Sequence, residues 1–424
     1  DDREPPMRQD NGAGGPGGDL NAEIVGTTMA EARSHGITDD PRLFPGCADR
    51  EQSGDSAHRV SLVVHREKLR KRTTSATAKP NILSKHGTHD RVHCVFLNSA
   101  PVAAAFGSIR WAYLTALGLL GLDRALIRRV HAKSHTLVLN LHRVSPVESP
   151  FWPPLRPETF DELIGFLKGH FEVVTLAELA LIDPRKAAVV LSFDDGYRDF
   201  IEHAAPILAA HGVRANQNVI PDCIESGRPI WNVRLYDGLA AAPPNLFREL
   251  RVEGFSHPRP SDDSPHGMAR FGARLARHLK NRPAAERLPL WRQVESWLSR
   301  VEIQHPTQMM TAEEVRSIAR THEVGVHSYS HESMAFEDDA FFHEDVRRCR
   351  AFFTDRLNLP LKVYAFPNGS YRPSHLEHLF ASDFEHALIV EDRPAATRGK
   401  VLPRLSIHGS TPIELRLRVL GHRV

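Results

Sequence analysis

The 424-residue chain reads as an α/β protein built on a parallel sheet. Three observations predict this. Short, continuously apolar runs recur along the chain, as in strands covered on both faces. Amphipathic helical segments separate those runs. Acidic, Gly or Pro punctuation follows several of the runs, where loops at strand ends would stand. An open doubly wound sheet and a closed barrel both fit this pattern, and both place chemistry at the C-terminal ends of the strands.

Residues 1–92 contain GAGGPGG, scattered Arg, His, Ser and Thr, and little apolar periodicity. Such a segment cannot bury enough surface to offset its ordering entropy, and a disordered extension is expected. The catalytic region is expected over 108–424. Within 109–130, WAYLTALGLLGL leads into DRALIRRVHAK, an apolar run too short to span a bilayer. It reads as an amphipathic helix with a basic end, packed on the protein's own core or, as a second reading, lying on a membrane surface. SHTLVLNLHRV (134–144) carries the first buried strand, and Pro146, Pro150, Pro153 and Pro154 mark a loop. Residues 157–169 space Phe160, Leu163, Ile164 and Leu167 as a helix does.

KAAVVLSF (186–193) is a second buried strand running into Asp-Asp-Gly. A helix follows over 198–211, capped by Gly212. The next strand, RANQNVI, places polar Asn216 and Gln217 where apolar residues are expected, so these need partners. The charged, partly helical span 240–310 reads as an insertion into the sheet rather than as a second domain. Residues 311–321 begin with a Thr N-cap and Glu at the third helical position. EVGVHS (323–328) is a strand, EDVRRCRAFFTDRL a helix, LKVYAFP (361–367) a strand and HALIV (386–390) another. No internal repeat is visible.

Composition is that of an ordinary globular protein, with 41% hydrophobic and 25% charged residues. The formal net charge of +2 gives no field that would favour nucleic acid. Cys47, Cys94, Cys223 and Cys349 are far apart and form no CxxC motif, so idle buried thiols are expected. The N-terminus is acidic and Gly-rich, not basic and then apolar, so no cleavable signal is expected and the expected location is cytoplasmic or peripheral to a membrane.

Three segments carry chemistry. Ser192-Phe193-Asp194-Asp195-Gly196 sets two carboxylates at the end of an apolar strand, where one can bind a metal while the other takes a proton. His327-Ser328-Tyr329-Ser330-His331 spaces two imidazoles four apart, as on one helical turn. One Asp and two His leave open positions for water and substrate. Phe366-Pro367-Asn368-Gly369 makes a tight loop after a strand.

Together these segments resemble the polysaccharide deacetylases, the NodB homology family of carbohydrate esterase family 4 type. The first motif of that family is similar to Ser192–Gly196, the second to His327–His331 and the third to Phe366–Gly369. LHRV (141–144) and Trp231 echo further family positions. The resemblance covers about 108–410, with the NodB core over 186–424, and implies a distorted (β/α) barrel. It implies Asp195, His327 and His331 as ligands of a divalent metal, zinc first, with Co2+, Mn2+ or Fe2+ as alternatives. It implies Asp194 as general base, His408 as general acid with His375 as fallback, and Pro367, Asn368, Gly369, Tyr371 and Arg404 on the substrate or oxyanion side. Many members carry Arg two residues before the third motif's Pro; here that residue is Ala365, and Arg404, in Leu402-Pro403-Arg404, is the candidate to supply the charge from another strand. The implied activity is N-deacetylation of amino sugars in a chitooligosaccharide or exopolysaccharide. The alternatives are a metal-dependent amidase or esterase on another small substrate, and a carbohydrate-binding pseudoenzyme.

Overall fold

The computed structural model describes Ala116 and residues 121–256, 264–395 and 398–422. The extension expected over 1–92, Cys47, Cys94 and most of 109–121 lie outside the described residues. Cys223 and Cys349 are buried free thiols.

Among the described residues, eight parallel strands carry the fold: β1 (Thr136–Leu141), β2 (Glu172–Val173), β3 (Ala188–Phe193), β4 (Asn216–Val219), β5 (Glu323–Val326), β6 (Val363–Ala365), β7 (His386–Val390) and β8 (Val401–Ser406). Their order is β1-β8-β7-β6-β5-β4-β3-β2, and a further pairing of β1 with β3 closes seven of them into a ring. Closure is in register along the whole of β1, from Thr136 opposite Ala188 to Leu141 opposite Phe193. The base half of β3 pairs with β2, at Ala188 and Val189, and its top half with β4, at Ser192 and Phe193. Two strands thus share one edge at different heights, which distorts the barrel and leaves β2 outside the ring.

The continuous apolar runs arise because both faces of each strand are covered. Leu137, Leu139, Leu141, Val189, Leu191 and Phe193 point outward to the helices, in one core with Phe160, Leu163, Ile164 and Leu167. Val138, Ala188, Val190, Val363, Ala365, Leu388 and Leu402 fill the barrel's base. Following the same inward side up the strands, the residues become Asn140, Ser192, Asn216, Asn218 and Arg404, all buried. The barrel interior therefore changes from apolar to polar towards the strands' C-terminal ends.

The helices in chain order are α1 (Leu122–Ala132), α2 (Pro157–His170), α3 (Ala205–Ala210), α4 (Pro221–Ser226), α5 (Trp231–Ala241), α6 (Pro244–Phe247), α7 (Pro265–Lys280), α8 (Ala284–Leu298), α9 (Ala312–Ile318), α10 (Asp339–Ala351), α11 (Pro373–Ala381) and α12 (Pro412–Val419). Of the helix expected over 109–130, the described part starts at Leu122, after a left-handed Gly121, and runs to Ala132; its Val130 packs into the main core. Helices α5 to α8 lie between β4 and β5 and bury an apolar cluster of their own, including Leu235, Phe247, Leu275, Trp291 and Trp297. The insertion thus starts at Trp231, before residue 240, because Leu235 and Leu239 of α5 belong to that cluster. Among the described residues no helix is long and apolar enough to cross a membrane.

Candidate metal-hydrolase site

The polar top of the barrel gathers the first two motifs. Asp194 follows β3, and its N–H donates to Leu141 O at 2.9 Å, tying the turn to β1. Asp195 and Gly196 both adopt left-handed backbone, φ 76° and 81°. A Cβ on Gly196 would lie 3.3 Å from Ile224 and Val219, so glycine answers both the conformation and the space. This double turn sends the adjacent carboxylates to different tasks.

Asp194 is anchored through one oxygen. Its Oδ1 accepts from Arg404 Nη1 at 2.7 Å and from Asn218 Nδ2 at 2.9 Å. Ser192 Oγ lies under the pair, accepting from Asn218 at 3.1 Å and from Arg404 at 3.2 Å while donating to Asn216 Oδ1 at 3.0 Å. Asn216 and Asn218 are therefore partnered parts of the site, which accounts for a polar strand inside a barrel. The side chain of Gln217, on the other face of β4, makes no hydrogen bond among the described residues. Burial opposes a charge on Asp194, but Arg404 and then His327 outweigh it and hold the carboxyl well below the usual range. The second oxygen, Oδ2, faces His327 Nε2 at 3.7 Å.

Asp195 is 1% exposed, and neither of its oxygens makes a hydrogen bond of standard geometry. Its Oδ1 lies 3.6 Å from Nε2 of both His327 and His331. Burial, and then Asp194, push its carboxyl up to about 8. Burial likewise lowers both imidazoles, His331 well below its ordinary value. His327 Nδ1 sits 2.8 Å from Ala365 O, so it donates there and leaves Nε2 as a lone pair turned inward. The inward lone pair of His327, Nε2 of His331 and the Asp195 carboxyl thus converge, with no lysine or arginine among them. That is unfavourable for protein atoms alone and suited to a shared cation. Among the described residues this is the one group of three or more His, Cys, Asp or Glu whose ligand atoms meet, within 4.8 Å.

The histidines are not on a helical turn, as their spacing had suggested. His327–His331 is a loop with left-handed Ser328 (φ 60°) and His331 (φ 61°). Buried Asp345 of α10 accepts from Tyr329 N–H at 2.8 Å and from Tyr364 Oη at 2.8 Å, and Ser328 Oγ accepts from Glu332 N–H at 3.2 Å. These bonds replace the helical pattern and still turn both rings to one side.

In the third segment Asn368 and Gly369 are left-handed, φ 58° and 64°. Pro367 has no N–H, Gly369 N–H is taken by Phe366 O at 3.1 Å, and Ser370 N–H by Pro367 O at 3.0 Å. Asn368 supplies the remaining backbone donor of the loop, while its side chain donates to Ser333 Oγ at 3.0 Å. Half-buried Tyr371 packs on Phe366 at 5.1 Å. His408 is exposed on the loop after β8. The fallback His375 lies apart from the ligands. It stacks on Phe342 at 4.1 Å in the layer between helices and sheet and approaches Asp339 at 3.4 Å.

His142 carried no role in the sequence reading, although LHRV contains it. It follows β1 directly, meets Trp152 edge-on at 5.0 Å and lies within electrostatic reach of Asp194, His327, Arg404 and His408. Burial pushes it down to about 4. A lone His just beyond a buried strand was the available signal.

Residues 292–384 match the family model described as polysaccharide deacetylase. That segment holds His327, His331 and Pro367–Gly369, whereas Asp194 and Asp195 precede it and join it through the fold. No curated protein sequence matches the chain. Solved structures to which it is similar include Streptococcus pyogenes deacetylase PplD in complex with acetate, at 16% identity over 68% of this chain and 98% of that one, TM-score 0.44. IcaB from Ammonifex degensii is similar at 17% identity over 68% and 97%, TM-score 0.42. A de-N-acetylase from Aggregatibacter actinomycetemcomitans is similar at 14% identity over 67% and 100%, TM-score 0.42.

Proposed function

We propose that this chain, a member of the polysaccharide deacetylase family, is a metal-dependent hydrolase that removes N-acetyl groups from amino sugars of a carbohydrate chain. The observation that carries the reading is the meeting of Asp195, His327 and His331 beside a separately anchored Asp194. A divalent cation, zinc in the first instance, would polarise the acyl carbonyl and acidify water there. Asp194 Oδ1 is occupied by Arg404 and Asn218, so Oδ2 is the oxygen that takes the proton from the attacking water. Arg404 keeps that carboxylate ionised until it does so. To the N–H of Asn368, the loop donor not used within the loop itself, we assign the developing oxyanion. As the C–N bond breaks, the amine takes a proton at the barrel mouth, where His142 and exposed His408 interact. We assign the source of that proton to His408, which meets solvent, with His142, held neutral by burial, as the group beside it that passes the proton on. Water is consumed, and acetate and a free amine leave.

The complete ligand set argues against a carbohydrate-binding pseudoenzyme. The test is metal analysis together with acetate release from N-acetylglucosamine oligomers. Wild type is expected to hold about one metal per chain, as three-ligand catalytic sites do, and to release acetate. Asp195→Ala is expected to lose both. Retention of metal and activity by Asp195→Ala rejects the site. Metal binding without acetate release, alongside turnover of a small amide or ester, transfers the reading to another substrate.

A further inference from the structure

His331 is a ligand held in a backbone conformation that costs a non-glycine residue about 1–3 kcal/mol and persists only where the surroundings over-determine it. What over-determines it comes from the helical insertion. Glu332, the next residue, is 3% exposed and is gripped by Arg287 of α8, 6% exposed, through both guanidinium Nη atoms, one to each carboxylate oxygen. Arg287 also lies over the Trp231 ring, 5.8 Å from its centre, and Trp231 meets Trp291 at 6.0 Å. A second tie runs alongside, from Ala284 N–H to Glu337 Oε1 at 2.6 Å. Lys280, the last residue of α7, lies within electrostatic reach of His331.

Resting on the metal-site reading above, we propose that Arg287 is a positioning residue for the metal ligand His331, so that the insertion is a working part of the site. Its fork fixes the Glu332 carboxylate in plane and in direction, which a single point charge cannot do. With Glu332 fixed on one side and the Asp345-bound Tyr329 on the other, the ring of His331 is set between two anchors. Loss of a partner that orients a ligand typically weakens metal binding about 10- to 100-fold.

The test is cobalt binding to the full chain, read by chelator competition and by the visible Co2+ spectrum, with thermal melting of the metal-free protein beside it. The variants are Arg287→Met, Arg287→Lys and the double Arg287→Met/Glu332→Met. Arg287→Met leaves a buried carboxylate alone and is expected to lower both melting temperature and affinity. The double variant removes the buried charge and is expected to melt near wild type, yet to bind cobalt ~10-fold or more weakly with an altered spectrum. Arg287→Lys keeps the charge and loses the fork, so an intermediate affinity is expected, and this variant decides if the apolar ones do not fold. Wild-type cobalt affinity and spectrum in the folded double variant, or in Arg287→Lys, overturn the proposal. A wild type that binds no cobalt overturns instead the metal-hydrolase reading on which it stands.

Discussion

Arg404→Met tests the electrostatics at the centre of the site. Arg404 is 0% exposed and Asp194 1%, and they meet at 2.7 Å, so little solvent screens the pair. Methionine fills much of the volume and leaves Asp194 buried with Asn218 as its remaining donor. Removing one partner of a buried pair costs about 3–5 kcal/mol. Divided by about 1.4 kcal/mol per decade, that corresponds to roughly two to three and a half decades in the equilibrium that keeps Asp194 ionised. The sign follows from the direction of the shift. In the wild type the carboxyl is depressed, so its stabilisation is present above the ordinary carboxylate range and is lost as pH falls through the depressed value. In Arg404→Met burial dominates and the carboxyl rises by that amount from its depressed value, so the stabilisation it gave above the ordinary carboxylate range is lost. The acid limb of the pH profile of acetate release is expected to move up by about two to three and a half pH units, with release falling most at acid pH and least at neutral and alkaline pH. Urea denaturation of the metal-free protein is expected to show the loss of stability, and the double variant Arg404→Met/Asp194→Asn to regain much of it while remaining inactive. A single variant with the wild-type pH profile and stability would refute the argument that Arg404 maintains the base.

Gly325→Ala would set a Cβ 2.4 Å from Asn218 Oδ1 and 3.0 Å from Val363 O. Overpacking of this kind costs about 1–3 kcal/mol, and displacement of Asn218 from Asp194 is expected to lower kcat more than it raises KM, checked by denaturation and steady-state acetate assays. Asp345 and Asp199 are each pushed up to about 6 by burial. A raised carboxyl stabilises below its unfolded value and loses that effect as pH rises, so metal-free stability is expected to fall between about pH 4 and 6. Asp345→Asn is expected to flatten that slope in a series of melting curves; an unchanged slope assigns it elsewhere. Stripping the metal with a strong chelator is expected to abolish acetate release, and readdition of Zn2+ or Co2+ to restore it. At a thousandfold excess over Kd the ion is expected to stabilise by about 4 kcal/mol, seen as a rise in melting temperature. His142→Ala and His408→Ala are each expected to reduce turnover without loss of metal, and the double variant to add little beyond the worse single one. Additive losses would separate the two histidines into independent roles.

Much of the architecture was legible because it is local. The runs at 136–141, 188–193, 363–365 and 386–390 are strands because a strand covered on both faces must be apolar throughout. The capping box was readable in the same way. Thr311 accepts from Glu314 N–H, and Glu314 answers through Thr311 N–H, an exchange contained within four residues. The two-residue strand β2 was not legible, because nothing in Glu-Val distinguishes it from a loop until β3 lies beside it. The polar strand β4 looked like a weakness of the core. Its partners, Ser192 and Asp194, stand more than twenty positions away.

By its residues alone the chain determined which groups were available: two adjacent carboxylates ending an apolar strand, two imidazoles four apart, and a Pro-Gly loop after a third strand. These are short patterns with chemistry in them, and they carried the family resemblance. The tertiary structure decided what each group does. Pairing of β1 with β3 closed the sheet into a ring where an open sheet was equally consistent with the pattern. That closure brings β8 round beside β1 and sets Arg404 on Asp194. Left-handed turns at Asp195, Ser328 and His331 aimed the ligands, against the helical geometry their spacing implied. The insertion placed Arg287 on Glu332. Each of these is a contact between residues distant in the chain, set by closure and packing and not by the preferences of neighbouring residues.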